Sequence, residues 1–325
     1  MNVSKRLISQ SKNEMADAAH VPVLYHAIIH ALQPKSPNLY VDGTLGAGGH
    51  AYGILEACFP KGCLLGLDVD PQALALARES LAPHGERALL FQRSYTTLAD
   101  TLAEIGWNMV QGIVLDLGAS SMQFDTAERG FSFRDDGPLD MRFNPALPQS
   151  AADIVNSYSE ADFADIIFRY GEEKAARRIA QAIVRERPIH TTGKLASVIE
   201  RAIPRRGKRV HPATLTFQAL RIAVNDELAS IESVLPQAIK ALAPGGRLAI
   251  ISFHSLEDRL VKQYFRHESK DCICPPRQPI CTCGHHASIK EITRKPIFPT
   301  AEEIEENPRA RSARLRIAEK LNIKE

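Results

Sequence analysis

The feature of this sequence that most constrains its fold is a change of rhythm. Up to about residue 120, short apolar runs of strand length alternate with helical patterns. Leu39-Tyr-Val-Asp42, Leu64-Leu-Gly-Leu-Asp68, Ala88 to Phe91 and Ile113-Val-Leu-Asp116 are candidate strands, and Gln72 to Leu81 is a candidate helix between the second and third. Strands that alternate with helices predict a parallel sheet covered on both faces. From about Gln123 to Arg221 the strand signals nearly vanish. Glu160 to Tyr170, Glu172 to Arg187 and Lys194 to Ala202 carry helical spacing instead. After Pro212, a favourable first helical residue, Phe217, Leu220, Val224, Leu228 and Ile231 step by three and four. That spacing predicts one long helix with a single apolar face. The strand rhythm returns after Pro244-Gly-Gly246, in Arg247-Leu-Ala-Ile-Ile-Ser-Phe253, and Ala313, Leu315 and Ile317 alternate with Arg314 and Arg316 as in a final strand. The chain thus reads as an α/β fold with an inserted all-helical domain: residues 1–122 and 222–325 make two parts of one domain, and 123–221 the insertion.

A chain of 325 residues is long enough for two domains, and 44% apolar with 24% charged residues is the composition of a globular protein. The first twenty residues are polar and lack the apolar core of a signal peptide. No run approaches the roughly 18 apolar residues of a membrane helix. A cytoplasmic location is expected. Six cysteines are too few for a disulfide scaffold. A formal net charge of +2 excludes a uniformly cationic surface, yet it hides an asymmetry. Between Arg169 and Arg221 there are 13 Lys and Arg against 4 Asp and Glu, a local +9 that leaves −7 for the rest of the chain. Within that segment, Pro204-Arg-Arg-Gly-Lys-Arg-Val-His211 has little apolar content and is suited to phosphate contacts.

The most informative local segment is Val41-Asp-Gly-Thr-Leu-Gly-Ala-Gly-Gly-His50, which joins a strand to a presumed helix. Glycines there let the backbone approach a ligand closely. Gly46-x-Gly48-x-x-Ala51 formally fits a dinucleotide fingerprint, which leaves an NAD-dependent oxidoreductase open. Asp68, at the end of the second strand, stands 20 residues beyond Gly48, where a carboxylate can hold two ribose hydroxyls. Asp42 lies four residues before Gly46 and makes the pattern D-x-T-x-G-x-G. That pattern resembles class I methyltransferases, whose cofactor is S-adenosylmethionine. A cofactor without a pyrophosphate has less use for a helix N-terminus as an anion site.

Longer motifs narrow the reading. Leu115-Asp-Leu-Gly-Ala-Ser-Ser-Met-Gln-Phe-Asp125, Glu128-Arg-Gly-Phe-Ser-Phe133, Gly137-Pro-Leu-Asp-Met-Arg142, His211-Pro-Ala-Thr, Thr216-Phe-Gln-Ala-Leu-Arg221, Ser252-Phe-His-Ser-Leu-Glu-Asp258 and Asn307-Pro-Arg-Ala-Arg-Ser312 resemble the signatures of one family. From about His20 to Lys320 the chain is similar to the MraW family of ribosomal RNA methyltransferases. The resemblance implies a Rossmann-like class I S-adenosylmethionine-dependent methyltransferase sheet with the helical insertion as RNA-recognition domain. It also implies methylation of the exocyclic N4 of a cytidine in the decoding region of 16S ribosomal RNA, with the RNA within the small ribosomal subunit as the expected partner. The cofactor contacts it implies are Gly48, Gly49, His50, Asp68, Tyr95, Asp116 and Gln123. Tyr95 stands where Phe is common in the family and keeps an aromatic face for adenine. Met122 stands where Pro is common, and Ala119 where Val is common.

Amino-methyltransferases acting on DNA place an (Asp/Asn/Ser)-Pro-Pro-aromatic motif after the fourth strand. Here that place holds Asp116-Leu-Gly-Ala-Ser-Ser121, without the prolines or the aromatic residue, so the amine must be held differently. Asp116 is expected to orient the cofactor, with Ser120, Ser121 or His254 near the target base. His254 is the candidate catalytic residue; its competing role is to cap the helix that begins at Ser255. Phe131, Phe133 and Phe143 offer stacking surface for a base drawn out of its stack, or core packing. Cys272-x-Cys274 and Cys281-x-Cys283 supply four thiols that suit either a structural zinc or free thiols in a loop. A non-catalytic RNA-binding assembly protein is the alternative function of another class. No oligomeric state follows from the sequence.

Overall fold

The computed structural model describes residues 22–203, 211–275, 278 and 280–322. Its framework is a seven-stranded sheet in the order β3-β2-β1-β4-β5-β7-β6, with β1 Leu39–Asp42, β2 Cys63–Asp68, β3 Ala88–Gln92, β4 Val110–Asp116, β5 Leu242–Ser252, β6 Ile289–Glu291 and β7 Arg314–Lys320. The first five strands pair in parallel, while β7 pairs antiparallel with β5 and with β6. Parallel strands buried on both faces read as near-continuous apolar runs. That is the character of Leu39-Tyr-Val and Leu64-Leu-Gly-Leu.

Helices α1 Tyr25–Leu32, α2 Gly49–Ala57, α3 Pro71–Leu81 and α4 Leu98–Glu104 belong to the first half. Helices α5 Ser121–Asp125, α6 Ala151–Ser157, α7 Glu160–Gly171, α8 Ala176–Arg185, α9 Thr192–Ala202, α10 Thr214–Asn225 and α11 Glu227–Ala241 fill the span between β4 and β5. Helix α12 Ser255–Glu268 follows β5, and α13 Ala301–Glu306 precedes β7. One sheet face is covered by α1, α2 and α3 through Ile28, Ile54, Leu55 and Leu74. The other is covered by α4, α11 and α12 through Leu98, Val234, Leu235 and Phe265. A third buried cluster, apart from the sheet, unites Phe163, Ile167, Ile183, Leu195 and Leu220 of the helical segment. Among the described residues no helix is long and apolar enough to cross a membrane.

The single long helix expected after Pro212 is two helices. Asp226 adopts a left-handed conformation (φ 50°) and separates α10 from α11. The apolar spacing runs through the break because its two ends serve different cores. Phe217, Leu220 and Val224 join the helical cluster, whereas Leu228 and Ile231 pack on the sheet. Asn225 explains the stop: its side-chain Nδ2 donates to the Met141 carbonyl (2.7 Å) and its Oδ1 accepts from the Phe143 N–H (2.7 Å), tying the break to a neighbouring loop. The helix expected over Glu172 to Arg187 likewise begins later, at Ala176. Glu172 is left-handed at φ 52°, ends α7, and its carboxylate accepts from Ser255 (2.6 Å) and Arg259 (2.7 Å) of α12.

Candidate functional site

The strand order reverses at β1, whose neighbours are β2 and β4. In open α/β sheets the crevice beyond the strand C-termini at such a reversal is where ligands bind. Residues 43–48 turn there between β1 and α2. Gly43 packs so closely that a Cβ would lie 2.5 Å from Leu115 Cδ2, and the Gly43 N–H donates to the Val114 carbonyl (3.0 Å). Gly48, the residue preceding α2, sits at φ 88°, and a Cβ on it would also lie 2.9 Å from Ser80 Oγ. Glycine is therefore required at 43 by space and at 48 by conformation and space. A Cβ on Gly49 would meet Pro22 at 2.3 Å.

Asp68, at the end of β2, accepts from the Gly46 N–H (2.8 Å) through Oδ2 and from the Asp70 N–H (2.9 Å) through Oδ1. The loop and the acidic strand end are thus one hydrogen-bonded unit. Burial raises the Asp68 pKa despite these donors. Two further carboxylates lie at the ends of adjacent strands. Asp42 Oδ1 accepts from the Thr44 N–H (3.2 Å), while Thr44 Oγ1 accepts from the Asp116 N–H (2.6 Å). Asp42 Oδ2 and Asp116 Oδ1 are buried without any hydrogen-bond partner. Burial pushes the Asp42 carboxyl up to about 7. It holds Asp116 well above the usual range, helped by the charges of Asp42 and Glu257. Buried polar atoms are nearly always paired in folded proteins. Two orphaned carboxylate oxygens beside a glycine turn are the signature of a site built for hydrogen-bond donors that a ligand brings.

A buried polar node supports this crevice from the side. Asp70 caps α3 by accepting from the Gln72 N–H (3.0 Å), with Pro71 as the first helical residue. Its other oxygen accepts from Gln123 Nε2 (2.9 Å) and Arg129 Nη1 (2.7 Å). Arg129 Nη2 in turn donates to the carbonyls of Arg142 (2.9 Å) and Phe143 (3.0 Å). Gln123 Oε1 accepts from the Ser120 N–H (3.1 Å), which closes a capping box on α5. Both ends of the Gln123 amide are therefore engaged within the protein, and they fix the loop after β4 against the strand that carries Asp68. Asp70 and Arg129 were not among the residues expected from the sequence. The Asp70-Pro71 cap was a visible signal for the first; the second lies in the Glu128 to Phe133 signature, which gives no sign of its partner.

At the C-terminal end of β5, His254 is the N-cap of α12: its Nδ1 accepts from the Glu257 N–H (3.4 Å). His254 Nε2 lies 3.1 Å from Glu257 Oε1, and Glu257 Oε2 accepts from the N–H groups of Phe253 (2.8 Å) and His254 (3.2 Å). Burial opposes the charge of Glu257, but His254, Arg221 and the Phe253 N–H together outweigh it and hold the carboxyl below its usual range. Arg221 makes a two-pronged ion pair with Glu227 (2.8 and 2.9 Å) and lies 3.9 Å from Glu257. This cluster adjoins the Asp116 loop, since a Cβ on Gly118 would fall 3.5 Å from Arg221 and 3.8 Å from Glu257. Tyr95 packs on the same sheet core, and burial, with Glu227 and Glu257 nearby, raises its hydroxyl pKa.

The remaining expected residues divide. His50 is buried, donates from Nε2 to the Val23 carbonyl (3.0 Å), and has its pKa lowered to about 4 by burial, so it is neutral near pH 7. Ser120 caps α5, and the Ser121 carbonyl accepts from Arg309 (3.2 Å). Phe131 and Phe143 stack at 5.5 Å, and Phe133 packs on Phe217 at 4.8 Å, all within the helical cluster. Arg205, Arg206, Lys208 and Arg209 lie outside the described residues.

The model of the family described as the MraW methylase family matches residues 17–321. A protein of Geotalea uraniireducens named ribosomal RNA small subunit methyltransferase H is 53% identical over 312 residues, covering 94% of this chain and 100% of that one. A protein of the same name from Dehalococcoides mccartyi is 52% identical over 307 residues (94% and 88% covered). Another from Heliobacterium modesticaldum is 49% identical over 308 residues (93% and 98% covered).

Proposed function

Because this chain belongs to the MraW methylase family, we propose that it transfers a methyl group from S-adenosylmethionine to the exocyclic N4 of a cytidine in the decoding region of 16S ribosomal RNA. The observation that carries the reading is 53% identity over the whole of a relative named for small-subunit ribosomal RNA methylation. The crevice fits the cofactor, because it offers unsatisfied carboxylate oxygens on Asp42 and Asp116 and a backbone-held carboxylate on Asp68.

When bound, the cofactor supplies a methyl group already activated on a sulfonium. Asp68 would take the ribose hydroxyls, its two oxygens held in place by Gly46 and Asp70. Gly48 and Gly49 leave the backbone bare for close approach, and Tyr95 offers an aromatic face. Asp116 and Asp42 would accept hydrogen bonds now missing. His50 and Gln123 complete the assigned set: His50 ties the start of α2 to Val23, and Gln123 ties the loop after β4 to Asp70.

Cytidine N4 is a weak nucleophile because its lone pair is delocalised into the ring. The protein's main task is therefore alignment. Nitrogen gains positive charge during transfer, so acceptors near it stabilise the change and a proton must leave afterwards. We assign His254 the position beside the amine, on the loop next to Asp116, with Ser120 or Ser121 as the alternatives on the loop after β4. A His254→Ala enzyme with unchanged kcat and RNA affinity would remove it from that role. Residues 123–221 are the proposed RNA-binding part, with the local +9 concentrated between Arg169 and Arg221, acting on 16S RNA within the small subunit in the cytoplasm.

The test is transfer of label from methyl-labelled S-adenosylmethionine to small ribosomal subunits, run beside subunits whose target cytidine is changed. Label only in the former supports the assignment. Cofactor binding without any transfer, to subunits or to free RNA, would favour an RNA-binding assembly protein without turnover.

A further inference from the structure

The connection from α12 to β6 has no core of its own. Among the described residues between Glu268 and Ile289 none is buried, and Ile273 and Ile280 are exposed. Irregular segments longer than about 12–15 residues are uncommon unless something other than packing organises them. Yet this segment gathers four cysteines from two pairs, Cys272 with Cys274 and Cys281 with Cys283, until all four sulfurs lie within 4.8 Å of one another. The sulfur separations are 3.5 Å for Cys281 and Cys283, 3.9 Å for Cys272 and Cys283, and 4.0 Å for Cys274 and Cys281.

Those distances are diagnostic. Disulfide sulfurs stand about 2.05 Å apart, far closer than any pair here. Four thiolates around zinc at about 2.3 Å define a tetrahedron whose edges are about 3.8 Å, and the three separations bracket that value.

We propose that Cys272, Cys274, Cys281 and Cys283 form a structural zinc centre that pins this connection beside the edge strand β6. Four protein ligands leave no open position, so the centre has no part in methyl transfer. Its role is to replace the missing apolar core and hold the segment that leads from α12 into β6. This inference stands whether or not the substrate assignment is right.

The test uses the full chain, purified under thiol reductant without chelator. Elemental analysis is expected to find about one zinc per chain, released on thiol modification by a mercurial. Cobalt exchanged into the site should give the thiolate-to-metal charge-transfer and visible bands of a tetrahedral sulfur centre. A Cys281→Ser/Cys283→Ser variant should lose the zinc, and a Cys58→Ser/Cys63→Ser variant should keep it. Circular dichroism and titration with S-adenosylhomocysteine serve to show that both variants are folded. Folded wild-type protein without zinc, an iron–sulfur absorbance in its place, or zinc retained by the Cys281→Ser/Cys283→Ser variant would each overturn the proposal.

Discussion

Replacing Asp42 with Asn is expected to make the protein more stable at alkaline pH and worse at holding its cofactor. The carboxyl of Asp42 is pushed from 3.8 up to about 7 by burial, with one oxygen left unpartnered. Between those values the folded chain keeps a proton that the unfolded chain has released, so stability falls as pH rises from about 4 to about 7 and is level beyond. Between pH 5 and pH 8 this linkage removes about 2–3 kcal/mol from the wild type. An asparagine has no such proton. Whatever its fixed effect on packing, the stability of Asp42→Asn relative to wild type should improve by about 2–3 kcal/mol from pH 5 to pH 8. Loss of the neighbouring charge also relieves Asp116, in the same direction. Urea unfolding followed by circular dichroism at the two pH values measures this directly. Calorimetry with S-adenosylhomocysteine should meanwhile show roughly 10–100-fold weaker binding, the usual worth of one charged hydrogen bond. A stability difference between variant and wild type that is the same at both pH values would refute the reasoning. It would mean that Asp42 is ionised and satisfied in the folded chain.

Other expectations follow from the same geometry. Arg129→Met strands the Asp70 carboxylate in a buried site, so urea unfolding should show a loss of about 3–5 kcal/mol; a loss under about 1 kcal/mol would deny that the node is an ion pair of consequence. Changing Arg205, Arg206, Lys208 and Arg209 together to Gln should weaken RNA binding and reduce the slope of log K against log salt by about 3, at roughly 0.7–0.9 per phosphate contact. An unchanged slope in a filter-binding series would contradict their assignment to phosphate.

The parts of this account that were legible in the sequence are those set by local spacing. Asp42 and Asp68 end apolar runs of strand length, and the glycines between β1 and α2 follow at fixed offsets, so strand, turn and acidic end could be placed together. The motif at Ser252 to Asp258 marked both candidate roles of His254, of which the cap is visible in the hydrogen bond from the Glu257 N–H. The break at Asp226 was not legible, because helical spacing persists through it while the two flanks pack on different cores. The Asp70 node was hidden for another reason. Gln123 and Arg129 reach Asp70 from 53 and 59 residues away, and no periodicity reports a contact formed only when the loop after β4 folds back over α3. The near-neutral charge of the whole chain was similarly uninformative, since it sums a basic helical segment and an acidic remainder.

The central claim is that this crevice delivers a methyl group to the exocyclic nitrogen of one cytidine. The most direct measurement is nucleoside mass spectrometry of 16S RNA from small subunits incubated with the protein and S-adenosylmethionine. The account predicts N4-methylcytidine at a single position in the decoding region, and its loss with Asp68→Ala. Methylation found instead at a ring carbon or a ribose hydroxyl, or N4-methylcytidine formed undiminished by Asp68→Ala, would contradict it.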